Sequence, residues 1–215
     1  MNKDNNYYRL NSRSQAKQDL WVCKMLNNKK GGFFVDIGAH DGSFLSNTFM
    51  LENCLDWSGI CIEAEEARYK KLSESRKSKN INLAVRDYRG FCTFNEAETN
   101  PSIDDGFVDS KNKSGDLPCD TINNILKENG APKNIDYISL DIEGLEYEVL
   151  SSFAFDEWDV NLWTIEHNLY VDGPENKEKI KKIMLDNGYE CLEENVLAPT
   201  SNGLVPFEDW FAKIK

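Results

Sequence analysis

Apolar and polar positions along this chain fall into two alternating periods. Compact apolar runs, FFVDI at 33–37, GICIE at 59–63 and INLAV at 81–85, predict buried strands. Between them, apolar residues recur at helical spacing. A helix capped by Ser14 is expected to run to about Asn28, with Leu20, Cys23 and Leu26 on its inner face. Further helices are expected over about 42–52 and 65–77, and GFCTF at 90–94 alternates like an added strand or hairpin arm. Asp120 or Thr121 caps a helix that ends at Gly130, and IDYISLDIEG then supplies a strand ending at Asp141. Leu145, Val149 and Phe153 follow at i, i+4 and i+8 of a helix, before a strand, NLWTIEHN, that ends in Glu166, His167 and Asn168. Pro174 opens a helix with Ile180, Ile183 and Met184 on one face, and Gly188 ends it. YECLE and the segment near LVPF are late strands. Strand–helix alternation of this kind predicts an open α/β sheet, mostly parallel, with helices on both faces and an antiparallel C-terminal edge. One domain over 1–215 is expected, with a loosely held polar segment at 1–13.

Residues 96–116, EAETNPSIDDGFVDSKNKSGD, break the pattern. Their few apolar residues and many turn formers predict a mobile loop, either a functional lid or simply disordered. Ile103, Phe107 and Val108 can contact a substrate or dock the loop.

The densest chemical signal is the pairing of FFVDIGAHDG at 33–42 with ICIEA at 60–64. A strand ends in Asp36, a turn with Gly38 and Gly42 follows, and one βαβ step later a second strand ends in Glu63. That is the layout of a nucleoside-binding unit, in which Glu63 accepts hydrogen bonds from both ribose hydroxyls. D-x-G-A-H-D-G is not the G-x-G-x-x-G that leaves bare backbone for a pyrophosphate. An aspartate before the turn suits a cationic ligand better, such as S-adenosylmethionine with its ammonium and sulfonium.

A formal net charge of −12 and a pI near 4.7 repel phosphate backbones, so nucleic acid is not an expected partner. The dense basic stretch RYKKLSESRKSK at 68–79 reads as the solvated face of a helix, with Tyr69 and Leu72 turned inward. Cys23, Cys54, Cys61, Cys92, Cys119 and Cys191 form no C-x-x-C pair, which points to a reduced, intracellular, cytoplasmic protein. The N-terminal residues carry no apolar signal core, and no apolar run is long enough to span a bilayer.

In open α/β sheets ligands bind beyond the carboxyl ends of the strands. Here those ends carry Asp36, Glu63, Arg86–Asp87, Asp141–Glu143 and Glu166–His167–Asn168. His167 is a candidate general base, and a structural histidine at a strand end is the alternative. His40, inside the turn, is expected to pack near the ligand. Asp141, Glu166 and His167 form a candidate site for Mg²⁺ or Mn²⁺, which would polarise a substrate diol.

With these residues in hand, the chain resembles the FkbM family of S-adenosylmethionine-dependent methyltransferases. SQAKQDLWV (14–22), GGFFVDIGAHDG (31–42), GICIEA (59–64), LPCDTINNIL (117–126), IDYISLDIEGLEYEVL (135–150), TIEHN (164–168) and DNGYE (186–190) carry the resemblance. It implies the Rossmann-like class I methyltransferase fold with a seven-stranded sheet, and O-methyl transfer, often onto sugar or polyketide hydroxyls. Carried over by position, Asp36, Gly38, Ala39, His40 and Gly42 fall on the cofactor loop, and Glu63 on the ribose-binding acid, with Ala64 beside it. Asp87 at the end of the third strand joins the expected cofactor contacts. Asp141 and Glu143 fall on the D-x-E-G signature and stand with His167 as the candidate catalytic residues. Gln15, Gln18 and Asp19 fall on the S-Q-x-x-Q-D signature and are expected to close over the methionine end of the cofactor. His40 stands where many class I enzymes have a glycine. The expected acceptor is a carbohydrate hydroxyl. The alternatives are a small metabolite or natural product, or a non-catalytic domain that scaffolds a glycan-building complex.

Overall fold

A computed structural model describes residues 3–95, 107–109, 116–167, 169, 173–200 and 203–214. The chain opens with α1 (Lys3–Asn11) and α2 (Gln18–Met25), then β1 (Phe33–Ile37), α3 (Phe49–Leu55), β2 (Ser58–Glu63), α4 (Glu66–Ser75) and β3 (Lys79–Asn82). Four short strands follow: β4 (Ala84–Arg86), β5 (Gly90–Asn95), β6 (Phe107–Asp109) and β7 (Leu117–Thr121). The second half is α5 (Ile122–Glu128), β8 (Asn134–Leu140), α6 (Glu146–Ser152), β9 (Asp159–Glu166), α7 (Pro174–Asp186), β10 (Tyr189–Thr200) and β11 (Gly203–Lys213).

Seven strands form the central sheet in the order β3-β2-β1-β8-β9-β11-β10. The pairs from β3 to β9 are parallel, while β11 runs antiparallel to both β9 and β10. The last strand therefore inserts between β9 and β10, so β10 and not β11 is the sheet's edge. Consecutive residues of a strand feed opposite faces. Val35 and Ile138 pack with Ile62, Trp163 and Phe153 in one core, and their neighbours Phe34 and Tyr137 pack with Trp21, Leu51 and Trp57 in the other. Burial on both faces is why the central strands read as continuous apolar runs.

Several boundaries differ from the periodicity. Residues 3–11 are helical, and Tyr8 is buried in the second core. Ser14 does not cap α2; its hydroxyl donates to Asp19 Oδ1 at 2.6 Å, and Lys17 precedes the helix with φ +73°. The expected helix at 42–52 starts only at Phe49, because Asp41 Oδ1 accepts the amides of Ser43 and Phe44 and holds a turn there. The run at 81–85 divides. β3 completes the central sheet, and β4 leaves it to pair parallel with β7. β7 pairs antiparallel with β5, and β5 with β6, giving a second sheet in the order β4-β7-β5-β6. Phe107 and Val108 thus lie in a strand. The rest of the expected loop, apart from Asp109 and Asp116, lies outside the described residues, as does Asn168. No helix among the described residues is long and apolar enough to cross a membrane.

Candidate functional site

The turn after β1 is fixed from three sides. Gly38 has φ +85°, and a Cβ there would lie 1.8 Å from the carbonyl oxygen of Asp141, so only glycine fits. The amides of Gly38 and Ala39 both donate to the Ile62 carbonyl at 3.0 Å. The His40 amide donates to Glu63 Oε2 at 2.8 Å, and the Glu65 amide to Glu63 Oε1 at 2.8 Å. Glu63 is thereby aimed at the turn, and each of its oxygens keeps a lone pair for a further donor. Burial pushes its carboxyl up to about 7, against the pull of the Glu65 amide, Arg68 and the His40 amide. His40 takes φ +51° and packs its ring on Phe44, with centroids 5.6 Å apart. Ala39 is buried, Ala64 is half-buried, and Asp87 is exposed beyond β4.

Asp36 lies beneath this turn. Thr48 Oγ1 donates to its Oδ2 at 2.5 Å, and Arg76 Nη1 stands 4.0 Å away. Burial raises its carboxyl, opposed by the Arg76 charge and the Thr48 hydroxyl. Asp36, expected to meet a cationic ligand, is buried here and has Thr48 and Arg76 as its neighbours. Arg76 itself corrects the reading of 68–79 as a solvated face, since its side chain is fully buried.

Beyond β8 and β9 the chain gathers carboxylates. Oxygens of Asp141, Glu143 and Glu166 lie within 4.8 Å of one another. Glu143 has φ +58°, a strained value for a residue with a side chain, and this puts it on the same turn as Asp141. Glu146 braces that turn, accepting the Ile142 amide at 3.0 Å and the Gly144 amide at 3.1 Å. Burial pushes Glu146 up to about 7. Glu166 rises well above the carboxylate range, first through burial and then through Asp141 and Glu143. Glu208, in register with Glu166, is pushed up to about 8, by burial foremost. The Trp210 indole, donating to it at 2.8 Å, opposes the rise.

His167 does not join this group. It lies one residue past the end of β9 and meets Asp209, whereas Glu166 stands opposite Glu208, and neighbouring residues of β11 face opposite sides of the sheet. His167 is wholly buried, accepts the Leu169 amide at Nδ1 (3.3 Å), and holds Nε2 3.5 Å from Asp209 Oδ1. The expected cluster of Asp141, Glu166 and His167 is thus replaced by Asp141, Glu143 and Glu166, because His167 turns away toward Asp209 and the left-handed turn carries Glu143 in. From the N-terminal signature, Gln18 is buried, with Oε1 accepting the Ala16 amide at 2.9 Å. Gln15 Nε2 reaches the Pro199 carbonyl at 3.4 Å. Asp19 is internal, accepting Ser12, Ser14 and the Leu20 amide. Glu146, Glu208 and Arg76 were not singled out from sequence. Glu146 follows D-x-E-G closely enough to have been found, whereas Glu208 becomes visible only through strand pairing.

The Methyltransferase FkbM domain profile matches residues 36–191. No curated protein matches the chain. Solved structures share its fold at low identity. A fibrillarin from Aeropyrum pernix with bound S-adenosyl-L-methionine is 11% identical, with a TM-score of 0.54 over 93% of this chain and 75% of its own. Precorrin-6y C5,15-methyltransferase from Geobacter metallireducens is 12% identical, with a TM-score of 0.51 over 92% and 87%. A Pyrococcus horikoshii protein described as a transferase is 14% identical, with a TM-score of 0.51 over 94% of this chain; the chain spans only 63% of that protein's length.

Proposed function

The chain belongs to the FkbM methyltransferase family, and from that premise we propose that it transfers a methyl group from S-adenosylmethionine to a hydroxyl of a sugar or glycan. The observation that carries this reading is the union of the two strand ends: Glu63 holds the His40 amide, while Gly38 admits the Asp141 carbonyl. The turn after β1 then has a ribose acceptor on one side and an acidic lip on the other. Glu63 binds the ribose, and the Gly38–His40 backbone flanks the cofactor. Asp141 and its neighbours face the cationic end.

S-adenosylmethionine supplies an electrophilic methyl on a sulfonium, so transfer needs alignment of the nucleophile and removal of its proton. In this reading Asp141 and Glu143 take the proton role first expected of His167. Burial and its acidic neighbours raise the Glu166 carboxyl, which favours its neutral form and eases the charge of the trio. A second reading of the trio rests on its spacing, because three hard oxygen donors within 4.8 Å suit one Mg²⁺ or Mn²⁺. In that case the ion would orient an acceptor diol. All six cysteines stand as free thiols, which supports a reducing, cytoplasmic setting.

Turnover of labelled S-adenosylmethionine against a panel of glycans, small metabolites and natural products tests the proposal. Methylation of a carbohydrate hydroxyl supports it, methylation of a non-carbohydrate shifts the acceptor class, and cofactor binding without turnover points to the scaffold alternative.

A further inference from the structure

We propose that Arg76 is a positioning residue for the cofactor turn, setting cofactor affinity through the Gly42–Thr48 segment without touching the cofactor. The inference rests on reading that turn as the cofactor site. Arg76 is the residue immediately after α4, and its side chain is wholly buried. Its guanidinium donates to the Gly42 carbonyl (3.2 Å), Ser46 Oγ (3.3 Å), Thr48 Oγ1 (2.9 Å) and Glu52 Oε2 (2.9 Å). Asp36 Oδ2 lies 4.0 Å from Nη1. The planar fork thus ties the end of β1, the turn and α3 to the helix that follows β2.

Contact is tight at the turn. Gly42 has φ +78°, and a Cβ on it would lie 2.6 Å from Arg76 Cγ. The guanidinium also sits over the Phe34 ring at 5.3 Å and the Phe49 ring at 5.9 Å. This arrangement answers a specific need. Residues 42–48 form no regular element, so the segment joining the turn to α3 has no helical ladder to fix its shape. Carbonyl and hydroxyl acceptors on that segment converge on one cation instead. Thr48 passes the constraint on, because the same hydroxyl that accepts from Arg76 donates to Asp36. Lysine cannot replace this arrangement, since an ammonium is a point charge without a fork.

A purely structural Arg76 would lower the melting temperature of Arg76→Lys and leave the affinity of the folded protein alone. The test is calorimetry with S-adenosylhomocysteine at low temperature, with folding checked by circular dichroism, on wild type, Arg76→Lys and Ser46→Ala. We expect Arg76→Lys to weaken binding by about tenfold to a hundredfold while folded, from loss of charged hydrogen bonds to the turn. Ser46→Ala should weaken it by about threefold, since one such bond goes. If wild type binds and folded Arg76→Lys binds within twofold of it, the positioning role is overturned and the cofactor site stands. If Arg76→Lys does not fold, Ser46→Ala decides, and wild-type affinity there overturns the role. If wild type does not bind, the cofactor reading itself falls, and this role with it.

Discussion

The α-carbon of Gly38 faces the carbonyl of Asp141 so closely that a Cβ would sit 1.8 Å from that oxygen. The ends of β1 and β8 are pressed together there, with the Asp141 amide also donating to the Ile37 carbonyl at 3.1 Å. Gly38→Ala should therefore move backbone and not a side chain. Left-handed φ alone costs an alanine about 1 kcal/mol, and the overlap adds to it. A loss of about 2–4 kcal/mol by chemical denaturation is expected, with cofactor affinity falling further than stability. A variant with wild-type stability and affinity would mean the two strand ends can part freely.

The raised carboxyls give a pH dependence with a definite sign. Glu63 and Glu146 stand at about 7 and Glu208 at about 8, all above their ordinary 4.5. The folded state then holds protons that the unfolded chain has released, so this stabilisation is full below about 4.5 and is lost as pH rises through about 7 and about 8. Thermal melts without ligand should show a midpoint that falls from pH 5 to pH 9, and Glu208→Gln should flatten the upper part of that fall. Cofactor binding should run the other way near pH 7, because an ionised Glu63 is the better acceptor for ribose hydroxyls. A midpoint that climbs steadily from pH 5 to pH 9 would contradict the buried, protonated carboxyls.

His167 is enclosed between the Leu169 amide and Asp209, away from the carboxylate trio. His167→Gln should cost about 1–3 kcal/mol of stability, as loss of a buried polar partner does. Turnover per folded molecule should stay within about threefold of wild type, well short of the roughly hundredfold or greater loss that follows removal of a general base. A drop of that larger size at unchanged cofactor affinity would return His167 to the chemistry.

In the proposed reading Asp141, Glu143 and Glu166 share a proton, and in its alternative they hold a cation. The shared proton follows from burial and mutual repulsion at Glu166. Exhaustive chelation should then leave turnover unchanged, and Glu143→Gln should cut it by about tenfold to a thousandfold through loss of the acceptor for the hydroxyl proton. Loss of activity on chelation, restored by Mg²⁺ or Mn²⁺, would favour the cation instead.

The strand runs were legible because β1, β2, β8 and β9 are buried on both faces and leave little room for polar residues. The pairing of Asp36 with Glu63 located the turn, and Pro174 located the start of α7. Alternation separates Glu166 from His167, whereas the left-handed turn that brings Glu143 to the cluster leaves no periodic trace in the sequence. Arg76 was hidden because a buried arginine in a basic run looks like its solvated neighbours. Its acceptors at Gly42, Ser46, Thr48 and Glu52 are distant in sequence and meet only in the fold. The division of 81–85 into β3 and β4 depended on pairing with β7, which no local pattern records.

Glu63 is where the central claim is most exposed, since its two oxygens hold the His40 and Glu65 amides and, in the proposed reading, also take the ribose hydroxyls. Isothermal titration of S-adenosylhomocysteine into wild type and Glu63→Ala tests it directly. Wild type should bind at one site per chain, and Glu63→Ala should bind about a hundredfold or more weakly, as expected when two charge-assisted hydrogen bonds are lost. No heat of binding to wild type at about millimolar ligand, an affinity of only about −4 kcal/mol, or an unchanged affinity in folded Glu63→Ala, would contradict it.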